Sequence, residues 1–314
     1  MKAGPIVAID LGGTNLRLGL ISPSGRILRR RRFSMENNPT EDLLSRNLYR
    51  MVASFLGRAW TSPRPRAVAI GFAGLTRSAD GLVYFSPNVG RLSNLNIRNQ
   101  LEDRLGMPVL IENDANCAAV GEFWQGAGRG AKSLFLFTLG TGVGGSLVID
   151  GEVWEGHHGI AGEVGHTVID MDGPRCNCGN RGCLEAMVSA PAIVRTYMKI
   201  KEARGEGKPG VVTSRTVVGR ARRGEKAARA AIVEAGRALG TGIANVFGLL
   251  NPELILIGGG VSRAGPTLIR PAVKHARNLV CEPLRGKLKV RRAQLGDDAG
   301  LLGAAYLALK RCSA

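Results

Sequence analysis

Ile6-Val7-Ala8-Ile9-Asp10-Leu11-Gly12-Gly13-Thr14-Asn15-Leu16-Arg17-Leu18-Gly19-Leu20-Ile21 reads as an apolar strand, a glycine turn and a second strand. The second strand alternates, with Leu16, Leu18 and Leu20 on one face, as a half-buried antiparallel strand does. The pattern returns later in the chain: Ser133-Leu134-Phe135-Leu136-Phe137, then residues 138–145, then Ser146-Leu147-Val148-Ile149. Asp10-Leu11-Gly12 and Thr138-Leu139-Gly140 correspond at an offset of 128 residues. One such unit describes many hairpins. Two, each opening about half the chain, predict a duplicated α/β architecture with facing phosphate loops.

Outward from the first repeat, residues 26–33 can form a third strand after the turn Ser22-Pro23-Ser24-Gly25. Residues 41–58 have helical spacing, with Leu44, Leu48, Met51, Val52 and Phe55 on one face and Thr40 as N-cap. Residues 67–72 and 109–112 are short buried strands, the latter running into Asn113-Asp114 at the cap of a helix from Ala115. After the second repeat come helices over 190–204 and 226–250, separated by an exposed polar loop at 205–210. A strand at 253–257 ends in Gly258-Gly259-Gly260, and a helix over 301–309 follows Asp297-Asp298.

A length of 314 residues suits about two domains, and 44% apolar residues can fill their cores, which excludes wholesale disorder. Glycine accounts for 44 residues, about twice the ordinary share, without the Gly-X-Y period of collagen. The net charge of +18, from 43 basic and 25 acidic residues, is largely arginine spread along the chain. Only Arg29-Arg30-Arg31-Arg32 is dense, and no aromatics interleave to stack bases. That run reads as a solvated strand end, and no specific nucleic acid partner is expected. No apolar stretch of about 18 residues spans a bilayer, and the first ten residues lack a leader's pattern. Six cysteines, three within eight residues, are no disulfide scaffold, so a cytoplasmic protein is expected.

His166 followed by Cys176-x-Cys178-x4-Cys183 has the donors and spacing of a structural, four-coordinate zinc site. The competing reading is a redox pair or ordinary buried cysteines. Asp114, after a buried strand, suits either a catalytic base or a helix cap. Glu163 and Glu185 flank the cysteine loop and can accept hydrogen bonds from a polyhydroxyl ligand; alone, each reads as a surface residue. Gly12-Gly13-Thr14 and Gly140-Thr141-Gly142 can present backbone N–H groups to phosphate. Neither is a P-loop, and neither opens a helix as a dinucleotide fold requires. Asp10, at the tip of the first strand, either holds Mg²⁺ through water or only shapes the turn.

Taken together, Asp10-Leu11-Gly12-Gly13-Thr14-Asn15, Glu112-Asn113-Asp114-Ala115-Asn116, residues 139–145, Ala161-Gly162-Glu163-Val164-Gly165-His166 and Cys176-x-Cys178-Gly179-x2-Gly182-Cys183-x-Glu185 resemble the ROK family (repressors, open reading frames and sugar kinases). The motifs run in order across residues 6–303, and within the family they are most similar to bacterial ATP-dependent glucokinases. The resemblance implies the actin-like ATPase, ribonuclease-H-like fold: a small α/β domain over 1–115, a large one over 116–299, a central cleft, and a C-terminal helix at 300–314 returning to the small domain. It implies Asp114 as general base, and Asn88, Asn113, Glu163, His166 and Glu185 as sugar ligands together with Asp114. Asp10, Gly12, Gly13, Thr14, Asn15, Gly140, Thr141, Gly142, Gly258, Gly259 and Gly260 would hold ATP and Mg²⁺. His166, Cys176, Cys178 and Cys183 would hold structural Zn²⁺. A homodimer or homotetramer is expected.

The expected reaction is phosphorylation of glucose at its 6-hydroxyl. The run Gly159-Ile160-Ala161-Gly162-Glu163 beside His166 resembles the glucokinase branch, while N-acetylmannosamine, N-acetylglucosamine, fructose and allose are the rival substrates. A sugar-responsive repressor of the same family would carry a helix-turn-helix ahead of the first glycine loop, where Asp10 leaves no room for one.

Overall fold

The computed structural model describes residues 4–12, 15–34, 40–57, 64–86, 89, 92–207 and 210–312. Gly13, Thr14 and Asn88 lie outside them. The chain groups into two compact units, one of Met1–Gly130, Val148–Ala161 and Leu295–Ala314, the other of Ala131–Leu147 and Gly162–Gln294.

In the first unit, β1 (Ile6–Leu11), β2 (Asn15–Ile21) and β3 (Ile27–Ser34) form an antiparallel run. β4 (Ala67–Phe72) and β8 (Val109–Asn113) extend it in parallel, giving the order β3-β2-β1-β4-β8. Between these two come the short strands β5 (Leu75–Arg77), β6 (Leu82–Ser86) and β7 (Leu92–Leu95), an antiparallel sheet of their own. Side-chain parity divides the main sheet. Val7, Ile9, Leu11, Leu16, Leu18 and Leu20 share one core with α1 (Glu41–Leu56) and α2 (Arg98–Leu105). Thr40 caps α1, its hydroxyl accepting from Leu43 N.

The opposite face meets α9 (Ala299–Arg311), which crosses α3 (Asp114–Gln125) at very short range. A Cβ on Gly303 would overlap the Cys117 carbonyl oxygen, and one on Gly121 the Ala299 carbonyl oxygen. This crossing explains why the whole of α3 groups with the first unit, whereas the sequence placed a boundary after residue 115. It also gives a paired prediction. Gly303→Ala should lower stability by about 1–3 kcal/mol, because overpacking outweighs the gain of about 1 kcal/mol in helix propensity. Gly248→Ala, where an added Cβ meets nothing within 4 Å in α7 (Lys226–Leu250), should stabilise by that gain. Urea denaturation midpoints of the two variants check the contrast.

β3 is the sheet's edge, and Arg29 to Arg32 are all exposed on it. A charged edge strand resists pairing with other chains, which gives the run a physical role. Arg29 lies over the Phe55 ring, and Arg30 reaches Asp298 at 3.2 Å.

The second sheet repeats the first. β9 (Ser133–Leu139), β10 (Val143–Ile149), β11 (Glu152–Val153), β12 (Leu254–Gly258) and β13 (Val290–Arg292) follow the order β11-β10-β9-β12-β13, the counterpart of β3-β2-β1-β4-β8. Here β10 starts earlier than the sequence suggested. Gly144 and Gly145 belong to the strand, because a Cβ at Gly145 would meet Phe135 at 2.7 Å and the Gly162 carbonyl oxygen at 2.8 Å. Gly145 serves close packing, and the turn shortens to 140–142. The second unit's core joins this sheet to α4 (Leu184–Val188), α5 (Ala190–Ala203), α6 (Ser214–Arg222), α7 and α8 (Pro266–Leu279). Among the described residues, no helix is long and apolar enough to cross a membrane.

Candidate active site

In a doubly covered sheet, side chains at the carboxyl ends of the parallel strands are the ones left for chemistry. In the first unit those ends carry Asp10, Gly71 and Glu112-Asn113, in register across β1, β4 and β8. Asp10 and Arg17 are cross-strand partners, with Arg17 Nη1 2.6 Å from Asp10 Oδ2. Asp297 lies 3.5 Å from the same guanidinium. Burial pushes the Asp10 carboxyl up, against the pull of Arg17. Gly12 follows β1, and Asn15 opens β2.

The helix cap suggested for Asp114 belongs to its neighbour. Asn113 is the N-cap of α3, its Oδ1 accepting from Ala115 N at 2.8 Å and Asn116 N at 3.1 Å. Its Nδ2 donates to the Gly74 carbonyl at 2.9 Å. Asp114 therefore stands in the first turn, half-buried, with Oδ1 2.9 Å from Ala115 N. A helix N-terminus favours a carboxylate electrostatically. Its Cα lies 3.7 Å from where a Gly71 Cβ would be, so Asp114 and Asp10 flank the same bare strand end.

In the second unit, β9 and β12 end side by side, Thr138 paired with Gly258. This brings the Gly140-Thr141-Gly142 turn next to Gly258-Gly259-Gly260, and a Cβ on Gly259, at φ 80°, would overlap the Leu139 backbone. Two further contacts brace the turn. Ala190 N donates to Gly140 O at 2.8 Å, and Val143 N donates to Glu185 Oε2 at 3.0 Å. Glu185, in the first turn of α4, thus supports the glycine turn, a role its sequence position did not suggest.

The cysteine loop is a small ladder. Cys176 N donates to Asn180 O at 2.8 Å, Gly182 N to Pro174 O at 2.8 Å, and Leu184 N to Thr167 O at 3.0 Å. It gathers His166, Cys176, Cys178 and Cys183 so that their ligand atoms all lie within 4.8 Å of one another. Cys178 Sγ is 3.6 Å from Cys183 Sγ, and Cys176 Sγ is 3.8 Å from His166 Nδ1. Zinc bonds of roughly 2.0–2.3 Å in a tetrahedron give ligand–ligand edges of about 3.4–3.8 Å, so donor type and spacing both fit. Burial pushes the Cys183 thiol up to about 12 and raises Cys176, while the Asn180 N–H draws Cys178 down. The other ring nitrogen of His166, Nε2, faces Glu163 Oε2 at 3.9 Å. Burial pushes the Glu163 carboxyl up, partly opposed by His166 and assisted by Glu185.

Sequence reasoning missed the residues behind the site: Arg17 on Asp10, Gly74 on Asn113, and the buried Glu112 with its partner Arg311. Arg17 stands in the same alternating strand as the motif. Glu112 stands beside Asn113 within the same motif, whereas Gly74 and Arg311 come from distant segments with no local signal to find them.

A family model described as the ROK family matches residues 6–311. The glucokinase of Thermotoga maritima is 36% identical, covering 98% of both chains. The N-acetylmannosamine kinase of Shigella flexneri is 32% identical, covering 96% of this chain and 98% of its own. A ROK family glucokinase from Streptomyces griseus, solved with glucose and AMPPNP, superposes with a TM-score of 0.84 at 32% identity, covering 98% of this chain and all of that one. The duplicated sheets are thus those of the actin-like ATPase fold.

Proposed function

Because the chain belongs to the ROK family of sugar kinases, we propose that it transfers the γ-phosphoryl group of ATP to the 6-hydroxyl of glucose. The observation that carries the chemistry is the division of labour at α3: Asn113 caps the helix, and the Asp114 carboxylate stands in its first turn beside the bare end of β4. In this reading Asp114 takes the proton of the attacking hydroxyl. Asn88, Asn113, Glu163, His166 and Glu185 bind the sugar's other hydroxyls. Phosphoryl transfer demands mostly positioning and charge neutralisation. The loops Gly12-Gly13-Thr14-Asn15, Gly140-Thr141-Gly142 and Gly258-Gly259-Gly260 are assigned to the phosphates, with Gly140 N shaping its turn by donating to Gly142 O at 2.9 Å. Asp10 suits a water-mediated Mg²⁺, which when bound would neutralise phosphate charge; Arg17 occupies one of its oxygens and restrains the carboxylate.

Zinc is assigned a structural role, held by His166, Cys176, Cys178 and Cys183. The metal would fix the His166 ring through Nδ1 and leave Nε2, backed by Glu163, to meet a hydroxyl.

Glucose is favoured by the likeness to the Thermotoga and Streptomyces glucokinases. N-acetylmannosamine is the second reading, favoured by the Shigella kinase. A site built to bond hydroxyls rejects analogues that leave its groups unpaired. Competition with equimolar glucose and N-acetylmannosamine, with ATP and Mg²⁺, should therefore give mainly glucose 6-phosphate, with kcat/KM for glucose about tenfold or more higher. Preferential consumption of the N-acetyl sugar would transfer the assignment to that substrate.

A further inference from the structure

Immediately before the Asn113-Asp114 pair lies a carboxylate that the reaction does not use. Glu112 is only 1% exposed. Its Oε1 accepts from Asn113 N at 2.9 Å and from Asn116 Nδ2 at 2.9 Å, so it touches both the cap residue and the helix behind it. Its Oε2 meets the guanidinium of Arg311, in the last turn of α9, at 3.3 Å. That guanidinium also donates to Glu155 Oε1 at 2.6 Å and to the Ser78 hydroxyl. The neighbouring Lys310 pairs with Glu152. One arginine therefore joins four segments of the first unit at the root of α3.

A buried carboxylate held by two neutral donors and one cation depends heavily on the cation. Without it, Glu112 would face Glu155 with no counter-charge. It would take up a proton or turn away, and either change loosens its grip on Asn113 N. Asn113 Oδ1 in turn fixes the first turn of α3, where Asp114 sits.

We propose that Arg311 is a positioning residue for phosphoryl transfer, acting through Glu112 and the Asn113 cap to hold the Asp114 carboxylate in place. The proposal rests on Asp114 being the base, and it concerns orientation, not the chemistry of any bound group. A misplacement on the scale of one ångström can cost about a hundredfold in rate. The effect should fall more on kcat than on KM: Arg311 touches no substrate, and although Asn113 shifts, the sugar keeps its contacts to Glu163, His166 and Glu185.

The test uses Arg311→Met, which keeps the aliphatic stem, Arg311→Lys, and the double variant Glu112→Gln with Arg311→Met. Each is assayed for kcat and sugar KM per folded molecule, alongside amide hydrogen exchange at residues 113–116. Arg311→Met should lose about tenfold or more in kcat with KM within about threefold, and the Ala115 and Asn116 amides should exchange faster. Arg311→Lys should fall between, since an ammonium cannot span the same partners bidentately. The double variant should recover at least about fivefold over Arg311→Met, because a glutamine still accepts from Asn113 N and leaves no bare charge. A melting-temperature loss with unchanged kcat and unchanged exchange would overturn the proposal, as would a double variant no better than the single. Should Arg311→Met not fold, Arg311→Lys and its exchange pattern decide the matter alone. The exchange readout needs no substrate, so a wild-type protein inert toward hexoses would refute the kinase reading separately.

Discussion

Asp114→Asn should reduce kcat for hexose phosphorylation by about 10²–10⁴-fold, the usual worth of a positioned general base, while sugar affinity and thermal stability change little. The amide is isosteric and still bonds the attacking hydroxyl, but it cannot take the proton. Stability should survive because the cap belongs to Asn113, whose Oδ1 holds the Ala115 and Asn116 amides. The sharper control is Asn113→Ala. It removes the cap and should cost about 1 kcal/mol of stability, where Asp114→Asn costs a small fraction of that. Steady-state kinetics with denaturant melts of both variants separate the two roles. A folded Asp114→Asn enzyme with wild-type kcat would place the base elsewhere.

Cys178→Ser should release zinc and, with it, most of the sugar affinity. Wild-type protein should copurify with one equivalent of the metal. The loop from 166 to 183 has little buried apolar material of its own: Cys176 and Cys183 cluster with Ala186, and Ile169 packs partly buried against the second unit's core. Beside its backbone ladder stand one imidazole and three sulfurs whose ligand atoms lie within 4.8 Å of one another. Structural zinc sites of this kind contribute on the order of 10 kcal/mol to local folding. Losing one thiolate should thus free the His166 ring, loosen Cys183 at the start of α4, and disturb Glu185, which braces the glycine turn through Val143 N. The expected result is a sugar KM raised by about tenfold or more, with the first unit's fold unaffected. Elemental analysis and glucose titration check it. A metal-free protein with full affinity would refute the zinc assignment.

Much of this molecule is written locally. The strand–glycine turn–strand repeat, with Leu16, Leu18 and Leu20 on alternate positions, determined that two similar sheets exist, because a period of two admits only one buried face. The same local logic gave Thr40 as the cap of α1 and gave the helix at residues 226–250 its apolar stripe. The donor set His166, Cys176, Cys178 and Cys183 was equally legible, since close spacing lets one loop supply every ligand.

What sequence left open was decided by contacts between distant segments. Whether Asn113 or Asp114 caps α3 depends on backbone angles at the strand–helix junction and on Gly74, some forty residues earlier. The unit boundary depends on α3 meeting α9 where Gly121 and Gly303 let two backbones touch, and a glycine in a sequence does not say what it approaches. Gly145 looked like a turn residue, and only the Phe135 ring and the Gly162 carbonyl reveal it as a packing residue. Arg311 is one of many arginines in a chain of net charge +18. Nothing in its neighbours along the chain marks it, because its meaning comes from a carboxylate 199 positions away that is buried and needs a cation. Local periodicity determines which elements form and which face is covered; the pairing of buried charges and the approach of backbones depend on where the chain returns.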